Sequence, residues 1–252
     1  MTFLLAWVWL FVTLAPLLTL ERWIHRHVQG IGLLLTRDPD LATILYSALF
    51  FPGVALHESS HWLMAKALGV ETARFSLWPR RQPDGTLRLG FVETAKVDFV
   101  REALIGIAPL VAGSAVVVLI GYSRLAVGPL GAAAAAGDVA GMAKGFLASI
   151  LSADSLIWLY FLFTISNSMM PSASDRRSWL PLTIVLVLVG VALYYAGAAP
   201  LLVESFGEPL AAGVRVVASA FSITIGVNLL IIPLIWLIEK LLVRVTGLQI
   251  NY

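Results

Sequence analysis

Leu41–Leu68 reads LATILYSALFFPGVALHESSHWLMAKAL. Its first part is apolar. Its last part carries His57, Glu58 and His61. It reads as one long helix, with Pro52-Gly53 as the point where it would kink. An apolar helix of this length can cross the hydrocarbon of a bilayer. Asp38-Pro39-Asp40 punctuates the chain just before it, and Asp40 reads as its N-cap.

The composition agrees. The chain has 252 residues, 59% hydrophobic and 13% charged, against roughly 25% charge in an average soluble domain. One soluble core cannot hide that much apolar surface, so lipid is the expected solvent for most of the chain. This excludes a soluble enzyme, a disordered chain and a secreted disulfide scaffold. Cysteine is absent, which removes disulfides, thiolate zinc sites and a cysteine nucleophile. The net charge is +2 and its basic residues are scattered, so no nucleic-acid partner is expected.

Working outward, the expected architecture is an all-α polytopic membrane protein of about six transmembrane helices in a single domain, residues 1–252. A small membrane-associated β-hairpin is expected between the second and third spans. Residues 2–20 read as a retained first span, lacking the basic start and cleavage site of a signal peptide. Residues 21–40 read as interfacial. In residues 70–97, alternation around Arg74–Trp78 and Leu87–Val92, separated by Pro83-Asp84-Gly85, predicts the hairpin. Further spans are expected at 99–122, 155–170, 179–203 and 211–242. Residues 126–152 read as a loop with a short helix or a re-entrant segment. Lys and Arg are concentrated on the side that holds the hairpin and, with six spans, both termini. That side is therefore expected to be cytoplasmic, in the plasma membrane.

His57-Glu58-Ser59-Ser60-His61 is an HExxH motif. Residues four apart share a helix face, so both imidazoles can reach one metal ion. Glu58 lies about a third of a turn from His57, within reach of a water on that metal. Two imidazoles suit Zn²⁺, and a catalytic zinc needs a third protein ligand and an open position. The metal acidifies its water, and Glu58 takes the proton as the water attacks a carbonyl. Two histidines and a glutamate at the end of a membrane helix also demand a polar cavity or a metal.

Met64 and Ala67 stand where a metzincin has Gly and His, so that class is excluded. Glu93, Glu102, His25 and His27 are available as the third ligand, although the two histidines read more simply as an interfacial basic cluster with Arg22 and Arg26. Asp175 is the better candidate. It follows the fourth span, which runs in the same direction as the second, so Asp175 and HExxH meet at one membrane face. Asn167 lies near the end of that fourth span, where an amide could hold substrate backbone or stabilise an oxyanion; the rival reading is a helix–helix hydrogen bond. Asn228 has no motif around it and reads as a packing contact.

These residues resemble the site-2 protease family of intramembrane zinc metalloproteases. His57, Glu58 and His61 match its first motif. Asn167 and Asp175 match the Asn and Asp of its N-x-x-P-x-P-x-L-D-G motif at the same spacing. Pro171 falls one place late, Ala173 and Ser174 replace the residues before the aspartate, and Arg176 replaces the glycine after it. The resemblance covers roughly residues 41–180, and the hairpin is similar to the family's membrane-associated β-element. It implies His57, His61 and Asp175 as zinc ligands, Glu58 as general base and then acid, and Asn167 as substrate-binding. It also implies membrane-spanning or membrane-anchored protein substrates, cut near the cytoplasmic face, with products that serve signalling. The oligomeric state stays open. The rivals are a membrane zincin of the prenyl-protein protease type with a glutamate as third ligand, and a non-catalytic zinc-binding scaffold or transporter.

Overall fold

The computed structural model describes residues 3–81, 87–88 and 90–250. In chain order they form α1 (Phe3–Thr36), α2 (Pro39–Ala67), β1 (Thr72–Ser76), β2 (Arg80–Arg81), β3 (Leu87–Arg88), β4 (Phe91–Thr94), α3 (Phe99–Arg124), α4 (Val127–Ala135), α5 (Val139–Leu151), α6 (Ser155–Ser166), α7 (Trp179–Tyr195) and α8 (Ala199–Thr246). Among the described residues, α1, α2, α3 and α8 are long and apolar enough to cross a membrane.

Residues 21–36 do not form a separate interfacial segment; they continue α1. Leu17, Glu21, Ile24 and Val28 are buried. Their spacing of four, three and four residues makes one helical stripe that packs on the bundle. The cap of α2 is Asp38 rather than Asp40. The Asp38 carboxylate accepts from the Asp40 and Leu41 amides at 2.7 and 3.2 Å. Pro39 has no amide to cap and its φ suits the first helical position, which moves the cap one residue upstream of it.

The helices pack in register. Tyr160 Oη donates to the Leu49 carbonyl at 3.0 Å, the Phe50 and Phe163 rings are 5.6 Å apart, and His57 meets Ser168. The paired numbers rise together, so α2 and α6 run parallel. Gly53 makes their approach possible, since a Cβ there would collide with the Thr164 carbonyl. α3 runs antiparallel to α6, with Gly113 against Met169 and Gly106 against Asp175. α1 runs antiparallel to α2, with His25 opposite Tyr46 and Gly32 against Ala42. α1 and α8 run parallel, joined by Trp9 to Ser222 at 3.0 Å and by His27 to Glu239 at 3.8 Å. The last turns of α8 therefore lie beside the end of α1 and not its beginning.

Several boundaries also shift. Residues 126–152 form α4 and α5, separated at Gly137, whose φ of 67° is left-handed. α6 stops at Ser166, short of the expected Met170. Its 12 residues extend about 18 Å, less than the ~30 Å of a hydrocarbon core. The expected 179–203 span breaks after Tyr195, where Gly197 has a φ of 73° and Pro200 opens the next helix. α8 then runs through Pro209 and Pro233, well beyond the expected 211–242. α7 buries none of its residues. Trp179, Leu182 and Leu193 are partly covered and most of the rest is exposed, so this apolar helix needs lipid or another apolar surface around it.

β1 pairs antiparallel with β4, Phe75 opposite Val92 and Ser76 opposite Phe91. β2 pairs with β3, Arg80 opposite Arg88. The expected Pro83-Asp84-Gly85 turn lies outside the described residues. The core gathers Leu17, Ile24, Phe50, Val117, Leu162 and Phe221 between the long helices and α6.

Candidate metal centre

α2 carries His57 and His61 one turn apart, and the segment after α6 carries Asp175. Nε2 of His61 lies 3.1 Å from Nε2 of His57 and 3.3 Å from Asp175 Oδ1. Nε2 of His57 lies 3.7 Å from Asp175 Oδ2. All three ligand atoms fall within 4.8 Å of one another.

The opposite ring nitrogens set the proton positions. Nδ1 of His57 lies 2.7 Å from the Ser168 carbonyl, and Nδ1 of His61 lies 2.8 Å from the Ile105 carbonyl. A carbonyl oxygen only accepts, so each Nδ1 carries the proton and each neutral ring turns an Nε2 lone pair inward. Two lone pairs and a carboxylate oxygen aimed at one point repel unless a cation lies between them. Tetrahedral zinc with ligand bonds near 2.05 Å places its ligand atoms about 3.3 Å apart. The three separations bracket that value, so the donor set fits a metal ion. Hydrogen bonds to the outer nitrogens are the usual means of orienting metal-binding histidines.

Asp175 is set by its own turn. The Ser172 amide donates to its Oδ2 at 2.7 Å, and its carbonyl packs against Gly106 of α3. Burial works to raise its carboxyl, while the Ser172 amide stabilises the carboxylate form.

These three residues line a cavity of about 510 Å³ together with Glu58, Gly90, Val92, Thr94 and Glu102. A Cβ on Gly90 would come 2.9 Å from Glu58 Cγ, so the chain entering β4 passes directly over Glu58. A second cavity, about 390 Å³, is lined by apolar residues such as Leu130, Phe146 and Leu230, with only serines for polarity. The chemistry-bearing groups belong to the first.

The other candidate ligands are elsewhere. Glu93 lies 3.8 Å from Arg74. His25 bonds Tyr46 Oη at 2.7 Å, and His27 bonds the Trp23 carbonyl and stacks on its ring. Glu102 lines the cavity but is not among the three clustered ligands. Asn167 is buried and does not line the cavity among the described residues. Its amide donates to Asn228 at 2.8 Å and accepts from Asn228 at 3.0 Å. This is the helix–helix hydrogen bond that was the rival reading. Sequence reasoning missed the Ser168 and Ile105 carbonyls and the glycines at 90 and 106. Backbone groups leave no signature in side-chain spacing.

No protein-family model, curated protein or solved structure matches the chain. The geometry of the site therefore carries the functional argument.

Proposed function

We propose that this chain is an intramembrane zinc metalloendopeptidase of the site-2 protease type, hydrolysing membrane-spanning or membrane-anchored protein substrates. The observation that supports it is the convergence of His57, His61 and Asp175 on one point, in a polar cavity shared with Glu58. Two imidazoles and a carboxylate suit zinc and leave an open fourth position.

Zinc held by His57, His61 and Asp175 would supply Lewis acidity there and acidify a water. Glu58 is placed to take a proton from a water attacking the peptide carbonyl and to deliver it to the leaving amine nitrogen. His57 and His61 keep their Nδ1 protons on Ser168 and Ile105 throughout. Asp175 stays ionised and neutralises part of the metal charge. The prenyl-protein protease alternative needs a glutamate ligand, and Asp175 occupies that place.

In this reading the four long helices cross the plasma membrane, and α6 and α7 enter it. The break between α6 and α7 then lies at membrane depth, where irregular backbone is tolerated only against protein or a water-filled cavity. Here it packs on α3 and lines the cavity. Arg74, Arg80, Arg81, Arg88 and Lys96 favour the cytoplasm for the segment between α2 and α3, so cleavage takes place near that face. An extended strand edge near Glu58 suits an unwound substrate segment, and regulated proteolysis in signalling is the matching role.

The test is zinc content and peptide-bond cleavage of a reconstituted single-span substrate by the purified protein. About one zinc per chain, with cleavage lost in Glu58→Gln, is expected. Zinc bound without any cleavage of membrane proteins favours the scaffold or transporter. No zinc after metal is supplied sinks the reading.

A further inference from the structure

We infer that His25, Tyr46 and Asn228 are positioning residues for the metal ligand His57, acting through the last turn of α6. The inference rests on the metal-centre reading above and adds to it residues of α1, α2 and α8.

Polar groups inside a membrane bundle are expensive, and those that persist mark functional pairs. Here four helices bring theirs to one place. Tyr46 of α2 bonds His25 of α1 at 2.7 Å; the His25 ring packs on Phe50 at 5.3 Å, and Phe50 meets Phe163 of α6 at 5.6 Å. The Asn167 side chain forms the reciprocal amide pair with Asn228 of α8 and donates to the Phe163 carbonyl at 2.8 Å. Asn167 and Asn228 are both buried, Asn228 completely.

Asn167 is the C-cap of α6. The next residue, Ser168, offers the carbonyl that holds the His57 Nδ1 proton. The joint thus braces the last turn of α6 from two sides, at Phe163 through Phe50 and His25 and at the Asn167 side chain through Asn228. A shift of the α6 end lengthens a 2.7 Å bond, turns the His57 ring, and moves Nε2 off a point shared with two other ligands. Apolar packing alone could seal this place. The reciprocal amide pair adds a direction, because a two-bond pairing permits one orientation of the α6 end against α8.

The test uses the full chain in detergent, with Zn²⁺ affinity by chelator competition and the absorption spectrum of the Co²⁺ form as readouts. Tyr46→Phe and Asn228→Leu are compared with wild type, each first checked for cooperative unfolding of the metal-free protein. Loss of a residue that directly orients a ligand typically weakens metal binding 10–100-fold. One step further out, a several-fold loss and a shifted Co²⁺ ligand-field band are expected in both variants. A purely structural role lowers metal-free stability without altering the Co²⁺ band. If Asn228→Leu does not fold, Tyr46→Phe, which keeps the ring, decides alone. Unchanged zinc affinity and an unchanged Co²⁺ band in the folded variants overturn the inference and leave the metal centre standing. A wild-type chain that binds neither metal overturns both.

Discussion

The carbonyl of Asp175 packs directly on the backbone of Gly106, with no room for a Cβ between them. α3 thereby serves as the wall against which Asp175 is set, and its next residue upstream, Ile105, holds the His61 ring. Gly106→Ala is expected to push the Ser172–Asp175 turn away from α2. Overpacking of this kind typically costs about 1–3 kcal/mol. Melting in detergent and zinc titration check both consequences, and a variant with unchanged zinc affinity removes α3 from the role of wall.

Removal of Asp175 separates the third-ligand assignments. Asp175→Ala is expected to lose zinc by more than the roughly 10–100-fold of a supporting residue. Glu93→Ala is expected to keep it, since Glu93 faces Arg74. Glu102→Ala is also expected to keep it. Metal analysis after dialysis reads all three. Retention in Asp175→Ala with loss in Glu102→Ala transfers the site to the glutamate-ligand class.

Glu58→Gln keeps the shape of the side chain and removes its basicity. Zinc content is expected to stay at the wild-type level while cleavage falls by the ~10²–10⁴-fold typical of a lost general base. Cleavage that persists in the variant assigns the proton transfer to another group.

The pairing of His57 with His61 was legible in the sequence because helical periodicity puts residues four apart on one face, and HExxH is a local pattern. Asp175 was legible through the direction of travel: the helices that carry the two halves of the site run parallel, as their paired residues show. Lengths were harder. Apolarity alone cannot say where a helix ends, so the stop of α6 at Ser166 and the Gly197 break went unread. The parallel course of α1 and α8 was also hidden, because strict alternation counts every apolar segment as one crossing. Asn167 was legible only in part. Its spacing matched a site motif, while its partner, Asn228, lies 61 residues away.

Glu21 is buried in α1, and its Oε1 has no hydrogen-bond partner among the described residues. A buried acceptor left unmet costs about 1–3 kcal/mol. Glu21→Leu fills a similar volume without that cost and is expected to raise the melting temperature in detergent. A lower melting temperature instead assigns Glu21 a partner that stabilises the folded state.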